Sequence, residues 1–338
     1  MAHEKIVVIG GGTGTYTVLM GLKQHTSNVT AVVTMADDGG SSGLLRDEFG
    51  HLPSGDVRRC LVALSADRQV NRTLRALFEY RFDKGNGLNG HSFGNLFLTV
   101  LTELTGSVEL AILEASKLLN VRGTVLPVTT DNVRLCATLE DGTLIKGERN
   151  IDVRTVKPDL GIRQVFLSPA ATVYPPAKDA IRNADILVIG PGDLYSSVIP
   201  NLLVQGVPEA IRACRGLCVY VCNLMTKHGE TDGFPASRFV SEIHRYLGSS
   251  DAVDCMVVNT GKVIRTQLSN YADEQARPVT LDLDRCLSLV PQVHRADLLA
   301  EGELLRHDSA RLAKLLLRLG TANRREHSGA TVSAKRVD

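Results

Sequence analysis

The chain has 338 residues, and its 43% hydrophobic content can supply the core of one large α/β domain or of two ordinary ones. Its 38 basic and 37 acidic side chains give a formal net charge of +1, which argues against nucleic-acid binding and against a strongly charged membrane surface. No run approaches the roughly 18 uninterrupted apolar residues of a membrane-spanning helix, and the N-terminal apolar run is too short for a signal peptide. We therefore expect a cytoplasmic protein without membrane insertion and without a nucleic-acid partner.

The amino-terminal segment predicts a β-α-β unit with a glycine-rich turn. A β-branched run at 6–9 precedes the glycines, and a second apolar run at 29–33 follows after one helix length. Glycines at a strand-to-helix turn let the backbone approach a ligand closely, and the amides at a helix start favour an anion. The predicted phosphate-binding residues of this turn are Gly10, Gly11, Gly12, Thr13, Gly14 and Thr15.

The spacing of these glycines departs from both common nucleotide-binding fingerprints. Thr15 stands where a G-x-G-x-x-G sequence needs its third glycine, and no Gly-Lys-Ser/Thr follows as it would in a P-loop. The alternatives are a tight turn that binds nothing and a site for a phosphate-bearing ligand. The sequence favours the second, with a ligand that is neither NAD nor a P-loop nucleotide.

Two aspartates, Asp37 and Asp38, follow the second predicted strand, where dinucleotide-binding folds place a ribose-binding acid. A carboxylate there could accept from a sugar hydroxyl, hold Mg²⁺ or deprotonate an attacking hydroxyl. Both aspartates are therefore candidate catalytic residues, candidate nucleotide-binding residues and candidate magnesium ligands. If the strand extends as far as these residues, their side chains point to opposite sides, and a joint acid/base pair is not expected.

The remaining elements follow from periodicity and turn chemistry. A long polar loop is expected at 39–59, and the Asp-Gly turn at 141–142 predicts a hairpin within an antiparallel insert at about 121–167. Residues 153–156 are read as part of its β structure.

Helices are predicted near 60–64, 70–81, 96–104, 108–119, 177–183, 236–247, 261–271 and 309–319, and later parallel strands at 184–189, 217–222 and 253–259. The expected domain spans 1–320, and the polar composition of 321–338 predicts a disordered tail.

Polar, glycine-bearing loops follow the strands that end near 10, 36, 190 and 222. The carboxyl ends of parallel strands lie on one edge of a sheet, so these loops are expected to form a single site. Glycine amides together with cations such as Arg46, Arg58 and Arg59 suit a pyrophosphate. The further predicted binding residues are Ser54, Asp56, Asn95, Gly190, Gly192, Asp193, Ser196, Asn223, Thr226 and Lys227.

Cysteine chemistry is not expected in this chain. The seven cysteines are scattered in apolar or helical context, and Cys218 and Cys222 would lie about 13 Å apart on one strand, too far to share a zinc ion. The sequence contains neither a Ser/His/Asp elbow nor the context of a cysteine nucleophile. No metal is therefore predicted beyond Mg²⁺ held by Asp37 and Asp38.

Several blocks of the sequence resemble a known family. The chain contains GGGTGTYTVLMGLK, TMADDGGSSGLLRDEFGHLPSGDVRRCLVALS, SFGNLFLTVLTELTGS, VLPVTTDNVRLCATLEDG, ADILVIGPGDLYSSVIPNLLV and YVCNLMTKHGETDGF. These blocks look like the signatures of the YvcK-type gluconeogenesis factors, the bacterial branch of a family shared with the phospholactate transferases of deazaflavin coenzyme synthesis (the CofD proteins). The resemblance covers about residues 5–319. It implies a modified Rossmann-type α/β fold in the cytoplasm: a doubly wound, mostly parallel sheet with helices on both faces and an antiparallel β-hairpin insert.

The resemblance also implies a function. YvcK-type proteins support growth and cell shape on gluconeogenic carbon sources and bind a uridine diphosphate sugar, typically UDP-N-acetylglucosamine. Similarity to the transferases holds at 10–14, 37–38, 53–56 and 190–191, but after residue 222 the chain follows the gluconeogenesis-factor pattern at 225–232.

Two hypotheses follow. The first is a nucleotide-sugar-binding regulatory factor that needs no cofactor, acts on a protein partner and could assemble as a homo-oligomer. The second is a transferase that moves a phosphoryl-linked lactate from a nucleotide diphosphate to a deazaflavin hydroxyl, with Asp37 or Asp38 binding Mg²⁺ or activating the acceptor.

Overall fold

The structure, a computed structural model, describes residues 4–66, 69–264, 267–268, 271 and 274–334. Its centre is a seven-stranded sheet in the order β10-β9-β8-β7-β1-β2-β3, in which every neighbouring pair is parallel. A separate three-stranded antiparallel sheet has the order β5-β4-β6. The strands are β1 Ile6–Gly10, β2 Val29–Val33, β3 Thr124–Pro127, β4 Arg134–Leu139, β5 Leu144–Lys146, β6 Ile162–Ser168, β7 Ile186–Ile189, β8 Leu217–Val221, β9 Cys255–Asn259 and β10 Gln292–Ala296.

Helices cover both faces of the large sheet, so the predicted fold class is confirmed. They are α1 Gly12–Leu22, α2 Gly40–Phe49, α3 Gly55–Leu64, α4 Gln69–Glu79, α5 Phe93–Thr105, α6 Val108–Leu118, α7 Glu148–Asp152, α8 Pro175–Arg182, α9 Ile199–Leu202, α10 Val207–Arg212, α11 Ala236–Leu247, α12 Leu283–Leu287 and α13 Ser309–Ala334. A short π-helix, Leu194–Val198, precedes α9.

Alternate residues of the central strand β1 enter two separate cores. Ile6 and Val8 pack with α1, α3, α6 and α13, while Val7 and Ile9 pack with α8 to α12 and with the antiparallel sheet. All five residues of β1 are buried, as expected for a parallel strand covered on both faces. The apolar runs of the sequence therefore predicted the sheet well.

Helix α1 packs closely against the last helix, α13. A Cβ atom built on Gly21 would lie 2.0 Å from the carbonyl oxygen of Ser309, so only glycine permits this approach of the two backbones. The helix that begins at the glycine turn is thus held by a segment almost 300 residues further along the chain.

Several predicted boundaries differ from the structure. Residues 124–127 of the expected insert form the edge strand β3 of the large sheet, because they pair in parallel with β2. Residues 153–156 follow the short helix α7 and form no strand. Strand β10 was missed, since it is half-exposed and has little apolar content.

The expected loop at 39–59 contains helix α2, which ends at Gly50 with φ +71°, and the start of α3. Tertiary contacts stabilise α2 where propensity does not, because the buried hydroxyls of Ser41 and Ser42 bond to His91 and Asn95.

The final helix runs past residue 319 to Ala334, and this segment contains good helix formers such as alanine, arginine and glutamate. Residues 335–338 lie outside the described residues, as does part of the predicted helix at 261–271. In the part of the chain that is described, no single helix has the length and apolar content to cross a membrane, and the bent pair α5 and α6 passes that test only jointly.

Candidate functional site

A cleft of about 980 Å³ opens at the carboxyl edge of the large sheet. The loops after β1, β2, β7 and β8 meet there, as the parallel order of these strands requires. Of the predicted binding residues, the cleft is lined by Gly12, Thr13, Gly14, Asp37, Asp56, Asn95, Gly192, Asp193, Asn223, Thr226 and Lys227. The others lie behind or beside it: Gly10, Gly11, Thr15, Asp38, Ser54, Gly190 and Ser196.

The glycine turn after β1 touches the glycine turn after β7. A Cβ atom on Gly14 would lie 2.2 Å from the carbonyl oxygen of Pro191, so a larger residue cannot occupy this position without moving the backbone. Gly12 has a positive φ of +65°. The amides of Thr13 and Gly14 belong to the first turn of α1, where a helix offers no carbonyl partner and no acidic residue is present. The turn can therefore receive an anion.

Asp56 lies at the start of α3 and faces this turn. Its Oδ1 accepts the backbone N–H of Gly12 at 2.9 Å and lies 3.3 Å from Nη1 of Arg59. The side chain is buried, and burial together with the charge of Asp37 raises the pKa of Asp56 to about 6. Asp56, a carboxyl group that titrates near neutral pH, thus lies beside the glycine turn after β1.

Asp37 and Asp38 diverge, but not through strand alternation, because β2 ends at Val33 and both residues lie in the loop after it. Asp37 lines the cleft, where its Oδ1 accepts the Gly39 N–H at 2.9 Å. Burial raises the pKa of Asp37, and this effect outweighs the hydrogen bonds from Gly39 and Ser42, which favour the charged form. Asp38 turns to the antiparallel insert. Its Oδ1 accepts the Arg149 N–H at 2.8 Å, and its Oδ2 lies 3.8 Å from Nη1 of Arg134. The two carboxylates therefore have different partners, Asp37 in the cleft and Asp38 beside the insert.

The insert contributes acids to the cleft that the sequence did not single out. Glu148 begins α7, and its half-buried side chain lies beside Gly39 in the cleft wall. Burial raises the pKa of Glu148 to about 9, reinforced by the negative charges of Asp37 and Asp152. No local signal marked this residue, because the fold of the insert brings it to the cleft.

Lys227 sits among three carboxylates. Its Nζ contacts Asp152 and lies 2.7 Å from Oδ2 of Asp193 and 3.6 Å from Oε1 of Glu230. These carboxylates are grouped tightly enough to hold a metal ion, but the ammonium group of Lys227 already lies among them. The cluster therefore acts as an ion-pair junction between the insert and the loops after β7 and β8.

Charge and burial are balanced against one another in this junction. Burial lowers the pKa of Lys227, but the three carboxylate charges outweigh that effect and raise it above its ordinary value. Burial raises the pKa of Glu230 to about 7 against the opposing charge of Lys227. Ser196, a predicted binding residue, donates its hydroxyl to Glu230 at 2.8 Å instead of facing the cleft.

A buried arginine forms the floor of the cleft near α5. Nε of Arg58 donates to Oδ1 of Asn95 at 2.9 Å, and the Asn95 amide donates to the Ser42 hydroxyl at 3.2 Å. Burial and the charges of Arg59 and Arg81 lower the pKa of Arg58 to about 10. Arg46, another predicted cation, instead donates to Asn132 and Val133 beside the insert. Asn95 thus binds Arg58 and does not cap its helix.

The carboxyl end of β8 completes the cleft. Asn223 donates its amide to the Gly192 carbonyl at 2.7 Å, and Thr226 pairs through its backbone and hydroxyl with Arg277. The loop after β10 also reaches this wall with Leu305, Arg306 and His307. Sequence reasoning missed these three residues because the preceding strand carries no clear apolar pattern.

The chain resembles known proteins over most of its length. The family model described as 2-phospho-L-lactate transferase CofD matches residues 6–299. A gluconeogenesis factor from Halalkalibacterium halodurans is 44% identical over 319 residues, covering 94% of this chain and 97% of that protein. The gluconeogenesis factor of Bacillus subtilis is 41% identical over 319 residues, covering 93% of this chain and 98% of that protein.

Solved structures agree with these matches. A crystal structure of a protein from Bacillus halodurans has a TM-score of 0.88 and 42% identity, covering 94% of this chain and 100% of that chain. A second crystal structure from the same organism has a TM-score of 0.87. The resemblance seen in the sequence blocks is confirmed. The chain belongs to the CofD family.

Proposed function

We propose that this protein is a gluconeogenesis factor whose cleft binds a uridine diphosphate sugar of the UDP-N-acetylglucosamine type. In this role it supports growth and cell shape on gluconeogenic carbon sources. The observation that carries the proposal is the contact between the glycine turns after β1 and β7, where Gly14 meets Pro191 without room for a Cβ atom. That contact keeps the amides of Thr13 and Gly14 at the cleft, in position for a pyrophosphate.

Arg59 supplies a positive charge in the cleft, beside the glycine turn that would receive the diphosphate. The Arg59 side chain is 45% exposed and lines the cleft, and among the described residues its ion-pair partner is Asp56, so it can turn toward a phosphate. Arginine binds phosphate oxygens through two parallel N–H groups, which adds direction to the charge attraction. Arg59 is therefore assigned to the diphosphate.

The volume of the cleft favours a ligand larger than a single phosphate. At about 980 Å³ the cleft lies at the upper end of the ~300–1,000 Å³ range of small-molecule sites. A nucleotide sugar has a base, a ribose, a diphosphate and a second sugar, and it can extend from the glycine turns in both directions. A single inorganic anion would leave most of the space to water.

A regulatory role is supported by the way in which the insert is joined to the sheet. Asp38 binds the backbone of Arg149 and Lys227 contacts Asp152, so two polar links connect α7 with loops that line the cleft. A ligand between these parts would act on both sides of the junction. Occupancy of the cleft would in this way change the surface that the insert offers to a protein partner.

Isothermal titration calorimetry with UDP-N-acetylglucosamine tests the proposal. We expect Arg59→Gln to weaken binding about tenfold, as the loss of one charged hydrogen bond to phosphate would. Arg215→Gln is the matched control, since Arg215 is exposed and does not line the cleft. No detectable heat with the unaltered protein at millimolar ligand would disprove the proposal.

A transferase activity is the second candidate, supported by the description of the family model. Burial raises the pKa of Asp37, and burial together with the charge of Asp37 raises the pKa of Asp56, so one of them could remain protonated while the other holds Mg²⁺ or activates an acceptor hydroxyl. The test is a magnesium-supplemented assay with a guanosine diphosphate lactate donor and a deazaflavin acceptor. Formation of product would replace the purely regulatory proposal, and its absence would remove this candidate.

A further inference from the structure

Resting on that proposed function, we infer that the nucleoside half of the ligand lies over the carboxyl end of β8, where Asn223 and His307 accept hydrogen bonds from its donor groups. This direction along the sheet is opposite to the one expected from the position of Asp37 and Asp38 in the sequence. His307 becomes a specificity-determining residue in this arrangement. The second sugar would then lie toward Asp37, Asp56 and Glu148.

The first observation is an unpaired acceptor on Asn223. Its Nδ2 donates to the Gly192 carbonyl at 2.7 Å, and this bond fixes the orientation of the side-chain amide. The Oδ1 atom is buried and has no hydrogen-bond partner among the residues that the structure describes, although Asn223 lines the cleft. Buried polar atoms without partners are uncommon in proteins and call for a ligand or water.

The second observation is an unpaired nitrogen on His307. The residue lines the cleft but is only 7% exposed, and within the described part of the chain its Nε2 has no hydrogen-bond partner. Its other nitrogen bonds to the backbone of Cys222, whose own N–H is already donated to Val257, so the partner is the Cys222 carbonyl. A nitrogen that donates to a carbonyl leaves the opposite nitrogen of a neutral ring as an acceptor.

The ring is neutral at physiological pH. Burial lowers the pKa of His307 to about 4, and the hydrogen bond to Cys222 only partly opposes that effect. The residue therefore presents the same acceptor over the whole range in which the protein would work. Asn223 Oδ1 and His307 Nε2 are thus two buried acceptors on residues that line this wall of the cleft, and a ligand bound there would have to supply donors.

The surroundings of these acceptors suit a nucleoside. The same wall of the cleft contains the half-buried side chains of Leu224, Met225 and Tyr271 and the buried Leu305. An apolar wall with a few fixed polar atoms is the usual setting for a flat ring. Donors on the nucleoside are the ribose hydroxyls and the uracil N–H.

The opposite end of the cleft is less suited to a ribose. The Asp37 carboxylate accepts from Gly39 N–H and from the Ser42 hydroxyl, and Asp38 is engaged by Arg149 and Arg134 outside the cleft. The acids after β2 thus already have partners. This end is rich in carboxyl groups, which suit the hydroxyls of a second sugar or an acceptor.

Calorimetry with three probes and the full chain tests the inference: uridine 5′-diphosphate, 2′-deoxyuridine 5′-diphosphate and inorganic pyrophosphate. We expect His307→Phe to weaken uridine diphosphate binding about tenfold and to change pyrophosphate binding less than twofold. His307→Gln, whose amide can still accept, should recover part of the loss. Thermal melting of each variant checks that it is folded.

The outcomes separate this inference from the proposed function. If the unaltered protein binds neither uridine diphosphate nor pyrophosphate, the proposed function fails and the inference with it. If it binds both equally, or if His307→Phe affects both equally, the phosphate cleft stands and the nucleoside assignment is overturned.

The deoxynucleotide needs no variant and identifies the donor. Weaker binding of the 2′-deoxy probe assigns an acceptor to the ribose hydroxyl. If the ribose and deoxyribose nucleotides bind equally and His307→Phe still weakens uridine diphosphate more than pyrophosphate, the donor is the uracil N–H. A loss of uridine diphosphate affinity in Asp37→Asn but not in His307→Phe would place the nucleoside at β2 and reverse the assignment.

Discussion

The carboxylate of Asp56 accepts the backbone N–H of Gly12 at 2.9 Å, so an acid of the protein already occupies the first amide of α1. An anionic ligand at Thr13 and Gly14 would lie next to this group. Because the pKa of Asp56 is about 6, its charge changes within the physiological range. If the cleft binds an anion as proposed, we expect its affinity to depend on the protonation of this one buried side chain.

Binding of uridine diphosphate is expected to weaken as the pH rises from 5.5 to 8. Protonated Asp56 does not repel the anionic ligand, whereas ionised Asp56 does. Because one proton is linked to binding, the affinity changes by at most about tenfold per pH unit above the pKa of Asp56. Asp56→Asn should bind more tightly at pH 8 and lose most of this dependence, since an asparagine oxygen can still accept from Gly12. An unchanged pH profile in Asp56→Asn would contradict this role. Calorimetry at both pH values supplies the measurement.

Gly14→Ala is expected to destabilise the protein by about 1–3 kcal/mol and to abolish ligand binding. The added methyl group would overlap the Pro191 carbonyl at 2.2 Å, and backbone atoms cannot move aside as a flexible side chain can. Urea unfolding and calorimetry measure the two effects. Gly87→Ala is the control, because a Cβ atom there meets nothing within 4 Å. Equal stability of the two variants would show that the turns are not in contact.

The free energy of unfolding should fall between pH 5 and 9 because of Glu148. Its pKa is raised to about 9 in the folded chain, whereas an unfolded glutamate titrates near 4.3. A raised acid pKa means that the stability it contributes is fully present below the unfolded pKa and is lost as the pH rises through the folded one. Glu148→Gln should show a smaller decline, measured by urea unfolding across this range. The exposed Glu48→Gln is the control, and a decline in Glu148→Gln equal to that of the unaltered protein would refute the assignment.

Lys227→Met is expected to cost about 2–3 kcal/mol of stability. Removal of one partner from a fully buried ion pair costs about 3–5 kcal/mol, and Lys227 is 27% exposed, so screening by water reduces the loss. The variant leaves Glu230 buried without its cation, so the double variant Lys227→Met/Glu230→Gln should recover much of the loss. Urea unfolding of the four proteins of this cycle gives the coupling energy. A coupling near zero would mean that the junction does not stabilise the fold.

Much of the cleft could be predicted because strand signals and glycine turns are local. The runs at 6–9 and 29–33 located β1 and β2, and the parallel sheet then placed their loops at one edge. These inferences need only neighbouring residues and the parallel arrangement of strands.

The remaining residues of the cleft depend on contacts between distant segments. Glu148 belongs to the insert and reaches the cleft because α7 packs beside the loop after β2. His307 follows a polar edge strand that lacks an apolar pattern. Helix α2 begins with glycines and serines that favour a loop by propensity, but the buried hydroxyls of its serines bond to His91 and to Asn95 of α5. Tertiary structure decides each of these positions.

The contact between Gly21 and Ser309 sets the order in which the protein can mature during synthesis. Helix α1 leaves the ribosome early, but the helix that covers it is made almost 300 residues later. At ~5–20 residues per second, the apolar face of α1 stays without this partner for roughly 15–60 s. Strand β1 likewise pairs with β7, which is synthesised much later in the chain. The glycine turn is thus among the first parts of the protein to be synthesised, whereas the strand and the helix that pack beside it are made much later.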